Sequence, residues 1–464
     1  MRLTRNRQSN TVAGKERNIS KERRFQPAQL LALSFIAAIF VGAFLLLLPF
    51  STPPGENISF VDALFTSTSA VCVTGLIVQD TATYFTSAGQ TIILILFQLG
   101  GLGIMAFSTL ILLVAGRKVS IQDKIIIREG YHHGSAKDVK ALIKNIFIYA
   151  IAIESTGTLL LYLHWHGKFP GFQGFFYSLF HAVSAFCNAG FSVFSDSLIS
   201  FRGDIWTNAV IMILIVFGGL GFLVISEGAE KIFGGLRHRR KKMSLHSKLV
   251  WIMTLSLIVL PFVSFLLIEW NRSLLEFSLE EKILASLFQV ITPRTAGFNT
   301  MDLGGLNHAA VFLIISLMFI GASPGSTGGG VKTSTIGVIF AFVKSRVAAR
   351  DSVNVFYRTL PAGLVTRAFT VVVLSICVIF ISCAILFLTQ TGMSMKETFF
   401  EVFSAFGTVG LSLGTTAKLN AAGKFVIVAT MFFGRIGPLT LLYAFSREKA
   451  LGKFEYVEES VMIG

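Results

Sequence analysis

Four phrases decide how this chain reads: Ala70-Val-Cys-Val-Thr-Gly75-Leu, Ala185-Phe-Cys-Asn-Ala-Gly190-Phe, Thr292-Pro-Arg-Thr-Ala-Gly297-Phe and Ala405-Phe-Gly-Thr-Val-Gly410-Leu. Their glycines are 115, 107 and 113 residues apart. Each phrase closes a short apolar piece, at 60–71, 173–186, 280–291 and 396–406. Twelve helical residues reach roughly 18 Å, about half of a bilayer's hydrocarbon core, so these pieces are too short to span it. They read as re-entrant helices, tolerated where protein or water, not lipid, meets their non-helical ends. A second landmark follows each phrase. Gly100-Gly-Leu-Gly103, Gly218-Gly-Leu-Gly221, Gly321-Ala-Ser-Pro324 and Gly434-Arg-Ile-Gly437 begin 25, 28, 24 and 24 residues later. A lone glycine in an apolar run usually reflects tight helix packing. Two landmarks in register four times mark an internal repeat. The third unit departs slightly, with a spacing of nine from Phe288 to Gly297 against ten from Phe65 to Gly75, Phe180 to Gly190 and Phe400 to Gly410.

Longer apolar runs flank these pieces. Residues 28–50 hold no charge over 23 positions, and charge-free runs recur at 81–116, 205–226, 250–268, 303–331 and 368–395. Two further spans hold a charge within them, 143–163 with Glu154 (and Lys144 at its edge) and 425–446 with Arg435. The expected fold class is an all-α polytopic membrane protein. Eight transmembrane helices and four re-entrant pore helices form four span–pore helix–span repeats around one central pore. The expected organisation is a cytoplasmic basic tail at 1–27, pore repeats at 28–116, 139–232, 247–349 (with an intramembrane loop at 321–333) and 365–446, and a cytoplasmic tail at 447–464. Composition agrees: of 464 residues, 53% are hydrophobic and 14% charged, and mean hydropathy is +0.70. Soluble proteins carry about 25% charged residues, so a soluble enzyme, a coiled coil and a disordered chain are excluded.

The net charge of +15 invites a nucleic-acid reading, but its distribution argues against one. Thirty of the 40 Lys and Arg lie in the N-terminal tail, 116–144, 231–248, 344–367 and the C-terminal tail. The alternate loops share seven, and Arg294, Lys332 and Arg435 lie inside apolar segments. By the positive-inside rule both termini are cytoplasmic, and the basic surplus faces the inner leaflet of a plasma membrane. The first 27 residues, with eight Lys/Arg and two Glu, are too long and polar for a signal n-region and read as a retained tail. Cys72, Cys187, Cys377 and Cys383 sit in apolar surroundings and read as small hydrophobes, not a disulfide framework.

The physics of the repeated unit points to ions. Glycine lets backbone carbonyls turn in ways other residues resist. A half-helix ending at the membrane midplane aims its negative dipole end there, which favours a cation. Four such units around one axis give a carbonyl ring able to replace a cation's hydration shell. The bland alternative is a set of helix breaks in a transporter bundle.

The four span–pore helix–span units, their single glycines and the Gly-rich insert resemble the Ktr/Trk/HKT superfamily of potassium transporters over residues 28–464. Eight spans with a short basic tail look most like the bacterial Ktr membrane subunit. The resemblance implies that Gly75, Gly190, Gly297 and Gly410 are filter glycines. Val73 and Thr74, Asn188 and Ala189, Thr295 and Ala296, and Thr408 and Val409 would supply the neighbouring carbonyls, with potassium bound at the filter only. Only Thr408-Val409-Gly410 keeps the Thr-Val-Gly of a potassium channel. In this family such a reduced filter implies modest discrimination of K⁺ from Na⁺. The resemblance also implies a homodimer on a cytosolic ring of nucleotide-binding regulator-of-conductance subunits. The nucleotide (ATP/ADP or NAD) is expected on that partner, since this chain has no Rossmann fingerprint.

Two features inside the membrane stand out. Arg435 lies in the last span, where a charge costs at least ~2.5 kcal/mol. It is either a buried ion-pair partner of an acid such as Glu154 or Glu401, or a fixed positive barrier below the filter. The family carries an Arg at this place. The insert Gly321-Ala-Ser-Pro-Gly-Ser-Thr-Gly-Gly-Gly-Val-Lys332-Thr cannot remain a stable helix, with five Gly and one Pro in its first ten residues. A phosphate-binding loop is the tempting misreading, but Lys332 follows Val331 and the flanks are transmembrane. By resemblance it is the gating loop, with Gly321, Pro324, Gly325, Gly328, Gly329, Gly330 and Lys332 as its working residues and Arg435 beside it.

Arg294, near the filter, is read as lying behind it. The outer acids Glu56, Asp80, Asp196 and Asp302 read first as solvated loop charges. Cys72 and Cys187 read as pore-loop packing, and His181 as structural, without a metal-ligand cluster. No nucleophile–base constellation is present, so an enzyme is not expected. The leading reading is potassium uptake through a channel-like pore, with K⁺ as the transported ion, Na⁺ as a possible regulator and membrane lipid as surroundings. The rival is an alternating-access carrier, a sodium- or proton-coupled potassium symporter built on inverted repeats. Two full spans per unit insert all four units in one orientation, which counts against that rival.

Overall fold

A computed structural model describes residues 27–103, 136–233 and 243–445. The expected cytoplasmic tails, the last third of the 81–116 run and much of the basic segments at 116–144 and 231–248 lie outside these residues.

The named elements among the described residues are helices apart from a hairpin of two two-residue strands, Asn354–Val355 paired with Arg358–Thr359. Its helices follow one order four times. The first unit holds α1 (Pro27–Leu46), α2 (Phe60–Val71) and α3 (Ser87–Gly101). The second holds α4 (Ala136–Trp165), α5 (Gly171–Cys187), α6 (Ile205–Leu220) and α7 (Phe222–Phe233). The third holds α8 (Leu245–Glu269), α9 (Leu279–Ile291), α10 (His308–Phe319) and α11 (Thr333–Val347). The fourth holds α12 (Ala362–Thr389), α13 (Met395–Gly407), α14 (Ala421–Ile436) and α15 (Pro438–Phe445). Lys144–Trp165, Leu245–Glu269 and Ala362–Thr389 are each long and apolar enough to cross a bilayer. Leu159, Leu260, Leu267 and Leu388 stand exposed on these outer helices, as lipid-facing side chains should.

The short helices α2, α5, α9 and α13 form the inner layer. Two start with a reciprocal capping box, Ser278 with Glu281 and Ser394 with Glu397, which satisfies orphan N–H groups at the entry. α5 and α13 end because Asn188 (φ +58°) and Thr408 (φ +51°) enter the left-handed region.

Packing closes the inner layer on itself. The helix after each glycine phrase packs on the short helix of the next unit: α3 on α5, α6 on α9, α10 on α13, and α14 back on α2. An ion pair, Lys424 Nζ to Asp62 Oδ1 at 2.5 Å, joins the last unit to the first. The sequence shows a break only in the third unit's second span, yet those of the second and fourth units break as well. Gly221 (φ +92°) turns α6 into α7 through 107°, and Gly437 (φ +88°) separates α14 from α15. α3 stops before Gly103 (φ +77°). One glycine suffices to turn a chain without altering its hydropathy, so an apolar-run reading misses such breaks.

The second landmark also has a packing cause. A Cβ on Gly100 would lie 2.8 Å from the carbonyl carbon of Val71, on Gly218 3.0 Å from that of Phe186, and on Gly434 2.7 Å from that of Phe406. Glycine is required there because the short helix's last turn presses against it.

Candidate functional site: the glycine ring and the loop beside it

The four phrases share one backbone conformation. Val73, Asn188, Thr295 and Thr408 have φ of +57°, +58°, +76° and +51°, and the glycines two positions on have +87°, +72°, +78° and +91°. Non-glycine residues seldom hold positive φ, so its recurrence at equivalent positions marks a built feature. Part of the support is a hydroxyl behind each phrase. Ser69 Oγ accepts from Gly75 N at 3.1 Å and Ser404 Oγ from Gly410 N at 3.1 Å. Ser184 Oγ donates to Phe191 O at 2.7 Å and Thr292 Oγ1 to Phe298 O at 2.8 Å. Sequence reading missed these four. Their signal is Ser six residues before the glycine in three units and Thr292 five before Gly297 in the shorter third unit.

The glycines meet in a ring. A Cβ on Gly75 would lie 3.0 Å from Cα of Gly190, one on Gly190 3.0 Å from Cα of Gly297, one on Gly297 3.3 Å from Cα of Gly410, and one on Gly410 3.0 Å from Cα of Gly75. In the same cyclic order each would strike the carbonyl oxygen of Ala189, Ala296, Val409 and Thr74. The structure thus brings together phrases up to 335 residues apart (Gly75 to Gly410) around one axis, with the carbonyls of Thr74, Ala189, Ala296 and Val409 beside it.

The 320–332 segment lies at the end of the ring where the short helices stop. A Cβ on Gly328 would lie 3.1 Å from Cβ of Thr295, and Gly329 N donates to Thr408 Oγ1 at 3.1 Å. Thr327 Oγ1 donates to the carbonyls of Phe186 and Gly218, both at 3.1 Å, and Phe222 N donates to Gly325 O at 3.0 Å. Gly321 N to Val331 O at 2.9 Å and Thr333 N to Ala322 O at 3.2 Å pair the loop's two ends into a stem. Lys332 Nζ donates back to Gly328 O at 2.7 Å.

Arg435 is half-buried at the same place. Its guanidinium donates to the carbonyls of Thr327, in the loop, and Gly100, in the last turn of α3. Among the described residues it pairs with no carboxylate. Glu154 instead accepts from Gln98 Nε2 at 2.9 Å, and Glu401 from three hydroxyls. Arg294 is 4% exposed and donates to Thr254 Oγ1 on α8 at 3.3 Å, so it lies behind the ring. Asp80, Asp196 and Asp302 cap their own loops through Ala82 N, Ser200 N and Gly304 N. Cys187 donates to Gln98 Oε1 at 3.0 Å within packed surroundings. No group of three metal-ligating side chains occurs among the described residues.

Helices long enough to cross a bilayer, four short inner helices and a glycine ring at their ends define an all-α polytopic membrane protein of the pore-loop kind. The chain belongs to the TrkH family of cation transport proteins, whose model matches residues 15–455. It is 39% identical to the Ktr system potassium uptake protein B of Bacillus subtilis, over 95% of this chain and 97% of that one. It is 38% identical to the potassium/sodium uptake protein NtpJ of Enterococcus hirae, over 95% of this chain and 98% of that one. The crystal structure of the potassium transporter TrkH from Vibrio parahaemolyticus superposes with a TM-score of 0.72 at 22% identity, covering 92% of this chain and 86% of that one, and so shares its fold. The family resemblance read from the four phrases is borne out.

Proposed function

We propose that this chain takes up potassium through a channel-like pore across a bacterial plasma membrane, with both termini cytoplasmic. The observation that carries this reading is the closed glycine ring. Val73, Thr74, Gly75, Asn188, Ala189, Gly190, Thr295, Ala296, Gly297, Thr408, Val409 and Gly410 form the filter, whose carbonyls replace water around K⁺. With few such layers, Na⁺ competes or modulates. The unit boundaries at 28–116, 139–232, 247–349 and 365–446 are those of the four quarters of this pore.

The loop at 321–333 is the gate. Gly321, Pro324, Gly325, Gly328, Gly329 and Gly330 let it fold across the pathway, while Lys332 and Arg435 add fixed positive charge. Relatives named as components of Ktr systems favour a partnered assembly. We infer a homodimer on a cytosolic ring that carries the regulatory nucleotide and moves the loop.

The test is rubidium uptake into liposomes holding purified protein, with and without sodium. A pore passes rubidium down its own gradient and carries unitary currents. Strict dependence on a sodium or proton gradient, without currents, would replace the pore by the alternating-access carrier.

Arg435→Gln tests the gate charge. The change removes a positive charge beside the pathway and two hydrogen bonds, each of the charged kind worth about 1.5–3 kcal/mol, that hold Thr327 and Gly100. Uptake is expected to rise several-fold at normal yield. Arg435→Lys keeps the charge but loses the planar fork, so it should fall between Gln and wild type. A well-folded Gln variant that conducts no faster than wild type ends the barrier role.

A further inference from the structure

Directly after Phe65, Phe180, Phe288 and Phe400 on the four short helices stand Thr66, His181, Gln289 and Glu401, four equivalent positions of four different chemistries. Two residues after each ring glycine stand Ile77, Ser192, Asn299 and Ser412. In the second unit these positions meet: Ser192 Oγ bonds to His181 Nε2 at 2.9 Å, while His181 Nδ1 donates to Tyr177 O at 2.8 Å. In the first and third units they do not. Ile77 has no polar group, Thr66 Oγ1 is buried without a partner, and so are both amide atoms of Gln289 and Oδ1 of Asn299.

The fourth unit carries the strongest link. Glu401 is fully buried in the middle of α13. Its carboxylate accepts from Ser412 Oγ at 2.8 Å, from Thr415 Oγ1 at 2.8 Å and from Thr416 Oγ1. Ser412 Oγ in turn accepts from the backbone N–H groups of Gly414 and Thr415, both at 3.2 Å. One carboxylate thus gathers the whole 412–416 turn, which begins two residues beyond Gly410. Among the described residues no cation pairs with it. A buried carboxylate without a counter-ion is costly, and three hydroxyl donors are what offsets that cost.

We propose that Glu401 is a positioning residue for ion selection. By clamping Ser412, Thr415 and Thr416 it fixes the outer leg of the fourth phrase and so sets the stiffness with which Val409 and Gly410 hold their place in the ring. The ring is then mechanically unequal: braced by Glu401 in the fourth unit and by His181 in the second, and left unbraced at these positions in the first and third. This rests on the filter reading above. A stiff carbonyl cage discriminates by ion size better than one that collapses onto the smaller ion, so loosening the brace relaxes selection of potassium-sized ions over sodium.

The experiment measures the rubidium-to-sodium uptake ratio in liposomes at matched folded protein, for Glu401→Ala, Ser412→Ala, Thr415→Val and the Glu401→Ala/Ser412→Ala pair. The ratio is expected to fall at least about threefold in Glu401→Ala and measurably in each hydroxyl variant. The pair should lose no more than Glu401→Ala alone, because both remove one network. Should Glu401→Ala fail to fold, the two hydroxyl variants decide, each deleting one donor and leaving the carboxylate two others. Folded Ser412→Ala and Thr415→Val proteins with the wild-type ratio overturn the proposal, as does strict additivity in the pair. Gly410→Ser run alongside separates the two readings. If it shifts the ratio and the clamp variants do not, only the brace is wrong; if it does not, the filter reading fails first.

Discussion

Serine in place of any one of Gly75, Gly190, Gly297 or Gly410 is expected to cut potassium uptake tenfold or more, or to erase the preference for potassium over sodium, at unchanged membrane expression. The cause is double. Each glycine has φ between +72° and +91°, a region that costs an L-residue about 1–2 kcal/mol. Each added Cβ also enters the next unit's backbone, 3.0–3.3 Å from its glycine Cα and closer still to a carbonyl oxygen. About 1.4 kcal/mol suffices for a tenfold shift in an equilibrium, and overpacking alone costs ~1–3 kcal/mol. The ring also predicts an order. Gly190 has the most room, since the carbonyl oxygen of Ala296 would lie 2.7 Å from its Cβ and the matching oxygens lie nearer at the other three. Gly190→Ser should therefore be the mildest and Gly410→Ser among the most severe. Growth of a potassium-uptake-deficient bacterium at low potassium reads this out. Wild-type growth and selectivity in all four variants would remove the filter assignment.

If the loop at 321–333 is the gate proposed above, shortening it within 324–330 is expected to raise flux several-fold and to weaken any dependence on the proposed cytosolic partner. The change is structurally tolerable because the loop's ends are already joined. Ile320 bridges Val331, and Ser323 Oγ bonds to Thr333 Oγ1 at 2.9 Å, so removing the tip leaves the stem between α10 and α11. What goes is the contact of Gly329 with Thr408, the anchor of Thr327 on Phe186 and Gly218, and the seat of Arg435. The Phe222–Gly325 bond also goes, so the α6–α7 turn loses one brace and yield must be matched before rates are compared. An unchanged rate per folded molecule would make the loop structural filler.

How far each feature was legible depends on the range of the interactions that make it. The short helices and their ends are local matters. Ser278-x-x-Glu281 and Ser394-x-x-Glu397 are capping boxes visible in the sequence, and a twelve-residue apolar piece is too short for a bilayer whatever surrounds it. The paired landmarks announced four like units for the same reason. Arg435 was half legible: a charge in an apolar span must be satisfied, but only contacts across the fold choose carbonyls of Thr327 and Gly100 over Glu154 or Glu401. The breaks at Gly221 and Gly437 were hidden because a left-handed glycine leaves no mark on hydropathy.

The sequence by itself determined the class of molecule, the number and spacing of the glycine phrases, and the glycine-rich interruption, because each follows from composition or from interactions within a few residues. The tertiary structure decided what those pieces become together. The cyclic order 75, 190, 297, 410 joins glycines 107 to 335 residues apart, the loop settles on all of its neighbours at once, and Glu401 finds hydroxyls rather than Arg435. Such choices depend on which backbones approach closely enough to exclude even one methyl group, and that is a property of packing in three dimensions that no window along the chain contains.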